Sequence, residues 1–163
     1  MDNKLFLIIY RFGQKNKSMY NLLFKVTHAS VLFFQIMYAI LLLYAFIYVN
    51  SHFYKIVLAP LASLALNYIL RYYIKRPRPY IQNTIPLPFN HKGGYSFPSN
   101  HACSSMAIAI SYLYIIKPLG FLLILCALIT GFSRVTSGLH YPFDILSGFL
   151  IAAICSLFYV III

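Results

Sequence analysis

The sequence predicts an all-α integral membrane protein, a helical bundle with about five transmembrane helices and an N-terminal amphipathic helix at the membrane interface. Hydrophobic residues make up 61% of the 163-residue chain, whereas a soluble domain contains about 45–50% apolar residues. A chain this short cannot bury such a surplus in a soluble core. Apolar runs of roughly 20 residues, the length that crosses a hydrocarbon core, occur in five places. We therefore expect residues 1–163 to form a single membrane-embedded domain.

The predicted elements follow in order along the chain. Residues 1–25 carry a short apolar stretch interrupted by charges, which is typical of an amphipathic segment that lies on the membrane without crossing it. The five predicted spans comprise residues 26–49, 54–74, 99–116, 118–137 and 143–163. The one long connection, residues 75–98, is rich in proline and glycine. Backbone this irregular is tolerated only outside the hydrocarbon or around a polar cavity.

Counting the spans assigns the connections to the two membrane faces. The end of the second span, the long connection, the start of the third span and the junction between the fourth and fifth spans all fall on one face. Every unusual polar residue of the chain belongs to that set. The sequence therefore predicts one polar site at one end of the bundle.

The formal net charge of +11 points to anionic partners. The cations are gathered in residues 1–25 and 71–92, and a chain with several membrane spans is a poor candidate for binding nucleic acid. Phosphate groups or lipid headgroups at the bilayer are the better partners. Cys103, Cys126 and Cys155 lie in apolar runs without the paired spacing of metal or redox sites, so we interpret them as packing residues.

The first polar cluster is the stretch "RYYIKRPRPY", which contains four cations within eight positions: Arg71, Lys75, Arg76 and Arg78. Prolines 77 and 79 end a helix and favour extended backbone at the residues before them. Long cationic side chains fixed on stiff backbone suit a multiply charged anion. The alternative is a basic collar that contacts lipid phosphates at the membrane edge.

The second cluster is "GGYSFPSNHA", residues 93–102. Pro98 and Ser99 stand where a helix is expected to begin, and serine is a favoured cap. Free backbone N–H groups at a helix start bind anions, and His101 would lie in that first turn. The alternative is that Ser99 only caps the helix and His101 only lies at the interface.

The third cluster is "GFSRVTSGLHYPFDIL", residues 131–146. The chain has only two acidic residues, and one of them, Asp144, follows His140 by four positions. A carboxylate at membrane depth costs about 2.5–3.5 kcal/mol and rarely lacks a partner or a role. A carboxylate that holds an imidazole N–H fixes its tautomer and strengthens it as a nucleophile or base. The alternative is a structural ion pair between Arg134 and Asp144.

Together the clusters supply fixed cations, a helix start, a nucleophile and a proton donor, which phosphoryl transfer requires. Magnesium and calcium sites are built from carboxylates. With Asp144 committed and Asp2 remote at the terminus, we expect no metal ion and no cofactor. A zinc site formed by His91, His101 and His140 stays open as an alternative.

The three clusters resemble the three-part signature of the type 2 phosphatidic acid phosphatase superfamily. The third part, Ser-Arg, five residues, His, three residues, Asp, is complete. The second part has Asn in place of the usual Gly, and the first has Arg in place of the usual Lys. The matching residues are Arg71, Arg78-Pro79, Pro98-Ser99-Asn100-His101, Ser133-Arg134, His140 and Asp144.

The resemblance implies roles for these residues. His140 would attack phosphorus and form a phosphohistidine, Asp144 would orient it, and His101 would protonate the leaving oxygen. The residues implied to bind the substrate phosphate are Arg71, Arg78, Ser99, Asn100 and Arg134. Residues with a supporting role would be Lys75, Arg76 and Ser133.

Within the superfamily, the chain is most similar to bacterial bacitracin-resistance-type undecaprenyl-diphosphatases, which implies a polyprenyl diphosphate substrate. Phosphatidylglycerophosphate, phosphatidate and lipid A are the alternative substrates, and a non-catalytic anion channel or lipid-binding scaffold is the alternative of another class. The resemblance also implies a bacterial plasma membrane protein whose site faces the extracytoplasmic side. The cations of residues 1–25 would by themselves favour the cytoplasmic side.

Overall fold

A computed structural model describes residues 1–49, 53–85 and 94–162, with side chains through residue 158. In these ranges the chain is all helical and forms a membrane helical bundle. The helices are α1 (Asp2–Gln14), α2 (Lys17–Tyr48), α3 (Phe53–Ile74), α4 (Pro79–Gln82), α5 (Asn100–Ile115), α6 (Lys117–Thr136) and α7 (Pro142–Ile162).

The lengths of the helices fit a bilayer. By length and composition α2, α3 and α6 can each cross a membrane, and α7 is apolar over residues 142–158. Helix α5 has 16 residues, and most of its side chains are buried in the bundle. Large apolar side chains lie exposed along the outer helices, for example Phe46, Leu122 and Ile154. Because lipid is the only solvent in which such a surface is stable, the chain is an integral membrane protein.

The first span begins earlier than the sequence predicts. We expected residues 1–25 to remain outside the span, but α2 runs without interruption from Lys17. The Asn16 side chain accepts hydrogen bonds from the backbone N–H of Ser18, at 2.9 Å, and of Met19, at 3.2 Å. This is an N-cap, and it is the signal that the sequence prediction overlooked.

The amphipathic helix is therefore α1, and it packs on the bundle instead of only lying beside it. Phe6 is completely buried, and Gly13 lies so close to α6 that an added Cβ would be 3.0 Å from the Thr136 Cβ. Lys4 and Arg11 are exposed. The buried face of α1 therefore contacts the C-terminal end of α6.

Helix α5 lies at the centre of the bundle, in contact with α3, α6 and α7. Small residues allow the close approach of α7. A Cβ added to Gly148 would lie 2.7 Å from the Ser99 carbonyl oxygen and 3.1 Å from the Cys103 backbone nitrogen. This contact sets the beginning of α7 against the beginning of α5, which is where the candidate site lies.

Candidate active site

The three polar clusters converge at one end of the bundle, which confirms the arrangement predicted from counting the spans. The Ser96 N–H donates to the Arg76 carbonyl at 2.8 Å, and the Ser99 N–H donates to the Asp144 carbonyl at 3.0 Å. The Arg78 Nη1 lies 3.4 Å from the Leu139 carbonyl oxygen. Backbone and side-chain bonds therefore tie each cluster to another.

His140 lies in the turn between α6 and α7, where Gly138 adopts a φ of +78°. Its side chain is 2% exposed, and its Nδ1 lies 2.8 Å from the Ser96 carbonyl oxygen. A carbonyl oxygen only accepts hydrogen bonds, so Nδ1 carries the proton and donates it to Ser96. The lone pair is then on Nε2, which fits a nucleophile.

Asp144 lies beside the His140 imidazole without a direct hydrogen bond to it. Its Oδ2 lies 3.7 Å from the His140 Nδ1, beyond hydrogen-bond distance, and accepts instead from the Tyr141 N–H at 2.8 Å. Its Oδ1 accepts from the Arg76 Nη1 at 2.7 Å. The carboxylate therefore fixes the backbone beside His140 and acts on the imidazole through its charge.

The alternative ion pair between Arg134 and Asp144 is wrong. The Arg134 Nη2 donates to the Thr27 carbonyl at 2.9 Å, and the partner of Asp144 is Arg76. The expectation that Asp2 lies remote from the site is also wrong, because its Oδ2 lies 2.6 Å from the Arg76 Nη2. Asp2 and Arg76 lie 74 residues apart in the sequence, so no local pattern indicated this contact.

Three guanidinium groups lie at this end of the bundle, within electrostatic range of His101. Arg71 donates to the Tyr95 carbonyl, and the Arg78 Nε donates to the Gly94 carbonyl at 3.1 Å. Arg78 and Arg134 are 7% and 5% exposed. The Arg134 Nε is buried with no hydrogen-bond partner among the described residues. A buried unpaired donor costs about 1–3 kcal/mol, so this group is suited to an anionic ligand.

The start of α5 contributes backbone donors and the second histidine. The Ser99 Oγ accepts from the Ala102 N–H at 3.4 Å, which confirms the predicted cap. His101 follows in the first turn, partly buried, within electrostatic range of His140 and the three arginines. Asn100 accepts a hydrogen bond from Asn67 of α3.

Two of the supporting residues are placed differently from the phosphate-binding set. Lys75 is exposed, and its ammonium lies over the Tyr72 ring, 5.4 Å from the centroid. Ser133 accepts from the Thr27 Oγ1 at 3.0 Å and donates to the Thr130 carbonyl at 2.8 Å. The structure therefore places Ser133 in the contact between α2 and α6, and the Lys75 ammonium at an exposed position over Tyr72.

The surroundings of His140 determine its charge. Burial lowers the pKa of the imidazole to about 4, with the Asp144 charge raising it and the Arg78 and Arg134 charges lowering it further. The imidazole is therefore neutral near pH 7, the form in which Nε2 can attack an electrophile.

In the part of the chain that the structure describes, no group of three histidine, cysteine or acidic side chains is placed to hold a metal ion. His91, a member of the alternative zinc set, lies outside the described residues. The positive charge at the site comes from the guanidinium groups of Arg71, Arg78 and Arg134.

Comparison with known proteins identifies the family. A model of the PAP2 superfamily matches residues 54–163, which include all three polar clusters. The chain belongs to the PAP2 superfamily. It is thus a membrane lipid phosphatase by family.

Individual relatives agree with this assignment. The undecaprenyl-diphosphatase BcrC of Bacillus subtilis (strain 168) is 30% identical over 158 residues, which cover 94% of this chain and 80% of that protein. The crystal structure of Aquifex aeolicus LpxE superposes with a TM-score of 0.79 at 25% identity, over 98% of this chain and 94% of that one. A PAP2-type phosphatidylglycerolphosphate phosphatase from Bacillus subtilis gives a TM-score of 0.74 at 22% identity, over 97% of this chain and 82% of that one, which shows the shared fold.

Three residues of the site were not found by sequence reasoning. Asn67 is fully buried and bonded to Asn100, and a polar residue one turn before Arg71 in an apolar helix was an available signal. Ser96 acts through its backbone carbonyl, which no side-chain pattern reveals. Asp2 was expected to lie remote at the terminus, and the presence of only two acids in the chain was the available signal of its contact with Arg76.

Proposed function

We propose that this PAP2 phosphatase hydrolyses a lipid diphosphate through a phosphohistidine on His140, without a metal ion, and that undecaprenyl diphosphate is its substrate. The observation that carries the proposal is the buried His140 imidazole, whose Nδ1–H is held by the Ser96 carbonyl at 2.8 Å. This contact fixes the tautomer and leaves Nε2 for the attack.

In the first step, the His140 Nε2 forms a bond to the terminal phosphorus while the bond from phosphorus to the bridging oxygen breaks. The leaving lipid phosphate takes a proton from His101. Guanidinium groups of Arg71, Arg78 and Arg134 and the N–H groups at the start of α5, beside Ser99 and Asn100, bind the non-bridging oxygens. These charges replace the neutralisation that a metal would supply.

In the second step, water attacks the phosphohistidine. His101, now neutral, accepts the proton of the water, the P–N bond breaks, and inorganic phosphate leaves. His140 returns to its neutral form with Nδ1 still bonded to the Ser96 carbonyl. Positioning and charge supply the catalysis, as phosphoryl transfer requires.

Two adjoining cavities support a lipid substrate. One, of about 350 Å³, begins beside Asn100 and His101 and extends between α2, α3 and α5. A second, of about 320 Å³, runs between α2 and α6, where nearly all exposed lining is apolar. The cavities share the lining residues Ser30, Phe34 and Thr130. A prenyl or acyl chain could follow this path from the catalytic groups to the bilayer.

The choice of undecaprenyl diphosphate rests on the relative named BcrC, which matches over nearly the whole chain. Phosphatidylglycerophosphate, lipid A and phosphatidate are the other candidates. We further infer a bacterial plasma membrane location with the site on the extracytoplasmic side. Accessibility of the exposed Lys4 to a membrane-impermeant amine reagent in intact cells would test the sidedness, because α1 lies at the site end.

The test is phosphate release from each candidate lipid by the purified protein in detergent, with a chelator present. We expect the highest kcat/KM on undecaprenyl diphosphate, and an alkali-stable, acid-labile phosphoprotein when the reaction is quenched early. His140→Ala is expected to lose both signals. His28→Ala is the matched control, because His28 is an exposed histidine of α2 whose Nδ1 contacts the Phe24 carbonyl.

Retained turnover in His140→Ala would contradict the nucleophile. Complete loss of activity in the chelator, restored by a divalent metal, would contradict the metal-independent mechanism. Lipid binding without any hydrolysis, unchanged in His140→Ala, would support the non-catalytic channel or scaffold instead.

A further inference from the structure

Both acidic side chains of the protein bind the same guanidinium. The Arg76 Nη2 lies 2.6 Å from the Asp2 Oδ2, and the Arg76 Nη1 lies 2.7 Å from the Asp144 Oδ1. The chain offers 13 lysines and arginines to two acids, so a shared partner is not forced by scarcity of cations. The two carboxylates come from opposite ends of the sequence, on α1 and α7.

This three-residue bridge is built into the packing. The Asp2 side chain is 15% exposed, and its Oδ1 accepts from the Phe143 N–H of the first turn of α7 at 3.3 Å. The Arg76 guanidinium lies over the Tyr141 ring, 3.9 Å from the centroid. The buried Phe6 of α1 meets the same ring edge-on, with centroids 5.5 Å apart.

The bridge leads to the residue after His140 and to the carbonyl that binds the His140 ring. Asp144, which Arg76 holds, accepts from the N–H of Tyr141, the residue after His140, at 2.8 Å. The Asp144 backbone carbonyl accepts from the Ser99 N–H at the start of α5. The Arg76 carbonyl accepts from the N–H of Ser96 at 2.8 Å, and the Ser96 carbonyl binds His140.

We propose that Asp2 and Arg76 are positioning residues of the phosphatase, and that α1 takes part in the reaction by holding the Asp144 carboxylate and the His140 turn in place through Arg76. The inference rests on the proposed function of His140. Neither residue is among the groups proposed to bind the phosphate. Arg76 orients Asp144 through its Nη1, and Asp2 binds its Nη2 and limits how much of its charge reaches Asp144.

The charges around His140 make the two residues separable by experiment. The groups that face its imidazole are Arg78, Arg134 of α6, Asp144 of α7 and His101 of α5. Removing the Arg76 charge leaves the Asp144 charge uncompensated, which favours protonated His140. The acid limb of the kcat–pH profile, where activity falls as the pH decreases, then moves to higher pH. Removing the Asp2 charge strengthens the effect of Arg76 and moves the limb to lower pH.

The experiment measures kcat, KM and the pH profile for Asp2→Asn, Arg76→Gln, Arg76→Lys and the double variant Asp2→Asn/Arg76→Gln. We expect kcat to fall roughly tenfold in both single variants with a smaller change in KM, because positioning is lost while the phosphate-binding groups remain. The acid limbs should shift in opposite directions, each by about half a pH unit or more. The substrate titrates equally in every variant, so the differences report the enzyme.

Arg76→Lys keeps the charge but cannot bind two carboxylates bidentately, so we expect a lowered kcat with the limb at its wild-type position. The double variant restores the net charge and should also return the limb close to the wild-type position. Lys4→Gln is the matched control, because Lys4 is exposed on the same helix, two residues from Asp2. Its kcat and limb should not change.

Wild-type kcat and limb positions in both single variants would overturn the positioning role, and so would shifts in the same direction, which indicate only a loosened α1. If the wild type hydrolyses lipid and His140→Ala does not, such a result leaves the proposed function standing. If the wild-type protein releases no phosphate from any candidate lipid, both proposals fail together.

Discussion

The two histidines of the site lie at the same end of the bundle in contrasting surroundings. His140 is 2% exposed in a turn, and a backbone carbonyl holds its Nδ1 at 2.8 Å. His101 lies in the first turn of α5 and lines a cavity of about 350 Å³. No hydrogen bond of the His101 imidazole is present within the described residues.

This difference matches the demands of two chemical roles. A nucleophile benefits from a fixed tautomer and a fixed direction, since misplacement by about 1 Å can cost a hundredfold in rate. A general acid must follow the leaving oxygen and exchange its proton with water, so it needs access. In the proposed mechanism, the Ser96 carbonyl supplies the first condition for His140, and the cavity beside His101 supplies the second.

The largest effect is expected when His140 is removed. His140→Ala should lower kcat by roughly 10⁴-fold or more, because His140 is the nucleophile of the proposed covalent step. The loss should be as large for an aryl phosphate, whose leaving group needs no proton, as for a lipid phosphate. Phosphate release measured on both substrates checks this, and an aryl phosphatase activity near wild type would contradict it.

His101→Ala should show the opposite pattern. We expect a loss of roughly 10²–10⁴-fold on the lipid substrate, since a poor leaving oxygen needs a general acid. The first step should recover when the leaving group is a nitrophenolate, so that phosphohistidine accumulates while its hydrolysis stays slow. Quenched-flow detection of the phosphoprotein distinguishes this result from a simple loss of folding, which would remove the signal.

Much of this arrangement follows from the sequence. The span pattern and proline positions predicted that residues 71–78, 99–101 and 133–144 meet at one face, and the preference of serine for helix starts predicted the cap at Ser99. Backbone partners such as the Ser96 carbonyl were not predictable, because a carbonyl has no sequence signature. The contact of Asp2 with Arg76 depends on how α1 packs, which is a tertiary property that spacing does not encode.

Changing Asn67, which bonds the residue before His101, is expected to have a smaller effect. Asn67 donates to the Asn100 side chain next to His101, and its Oδ1 has no partner among the described residues. Asn67→Ala removes this support and should lower kcat/KM about tenfold, the effect of one lost buried hydrogen bond. Ser63→Ala on the same helix is the control, since among the described residues the Ser63 Oγ bonds the Ala59 carbonyl of its own helix. Equal losses in both variants would show a general effect on α3.

The smallest effect should be that of pH on the protonation of His140. Burial lowers the pKa of His140 to about 4, and the nucleophile is the neutral form, so activity is lost only as pH falls through that value. Between pH 8 and pH 5 the neutral fraction should decrease to no less than about 90%, whereas an imidazole of ordinary pKa, about 6.5, would be only about 3% neutral at pH 5. The rate of phosphohistidine formation in single turnovers, measured from pH 3.5 to 8 on an aryl phosphate with a proton-independent leaving group, reports this titration without the contribution of His101. A limb near pH 6.5 would mean that water reaches His140 freely, and the contrast between the two histidines would then be lost.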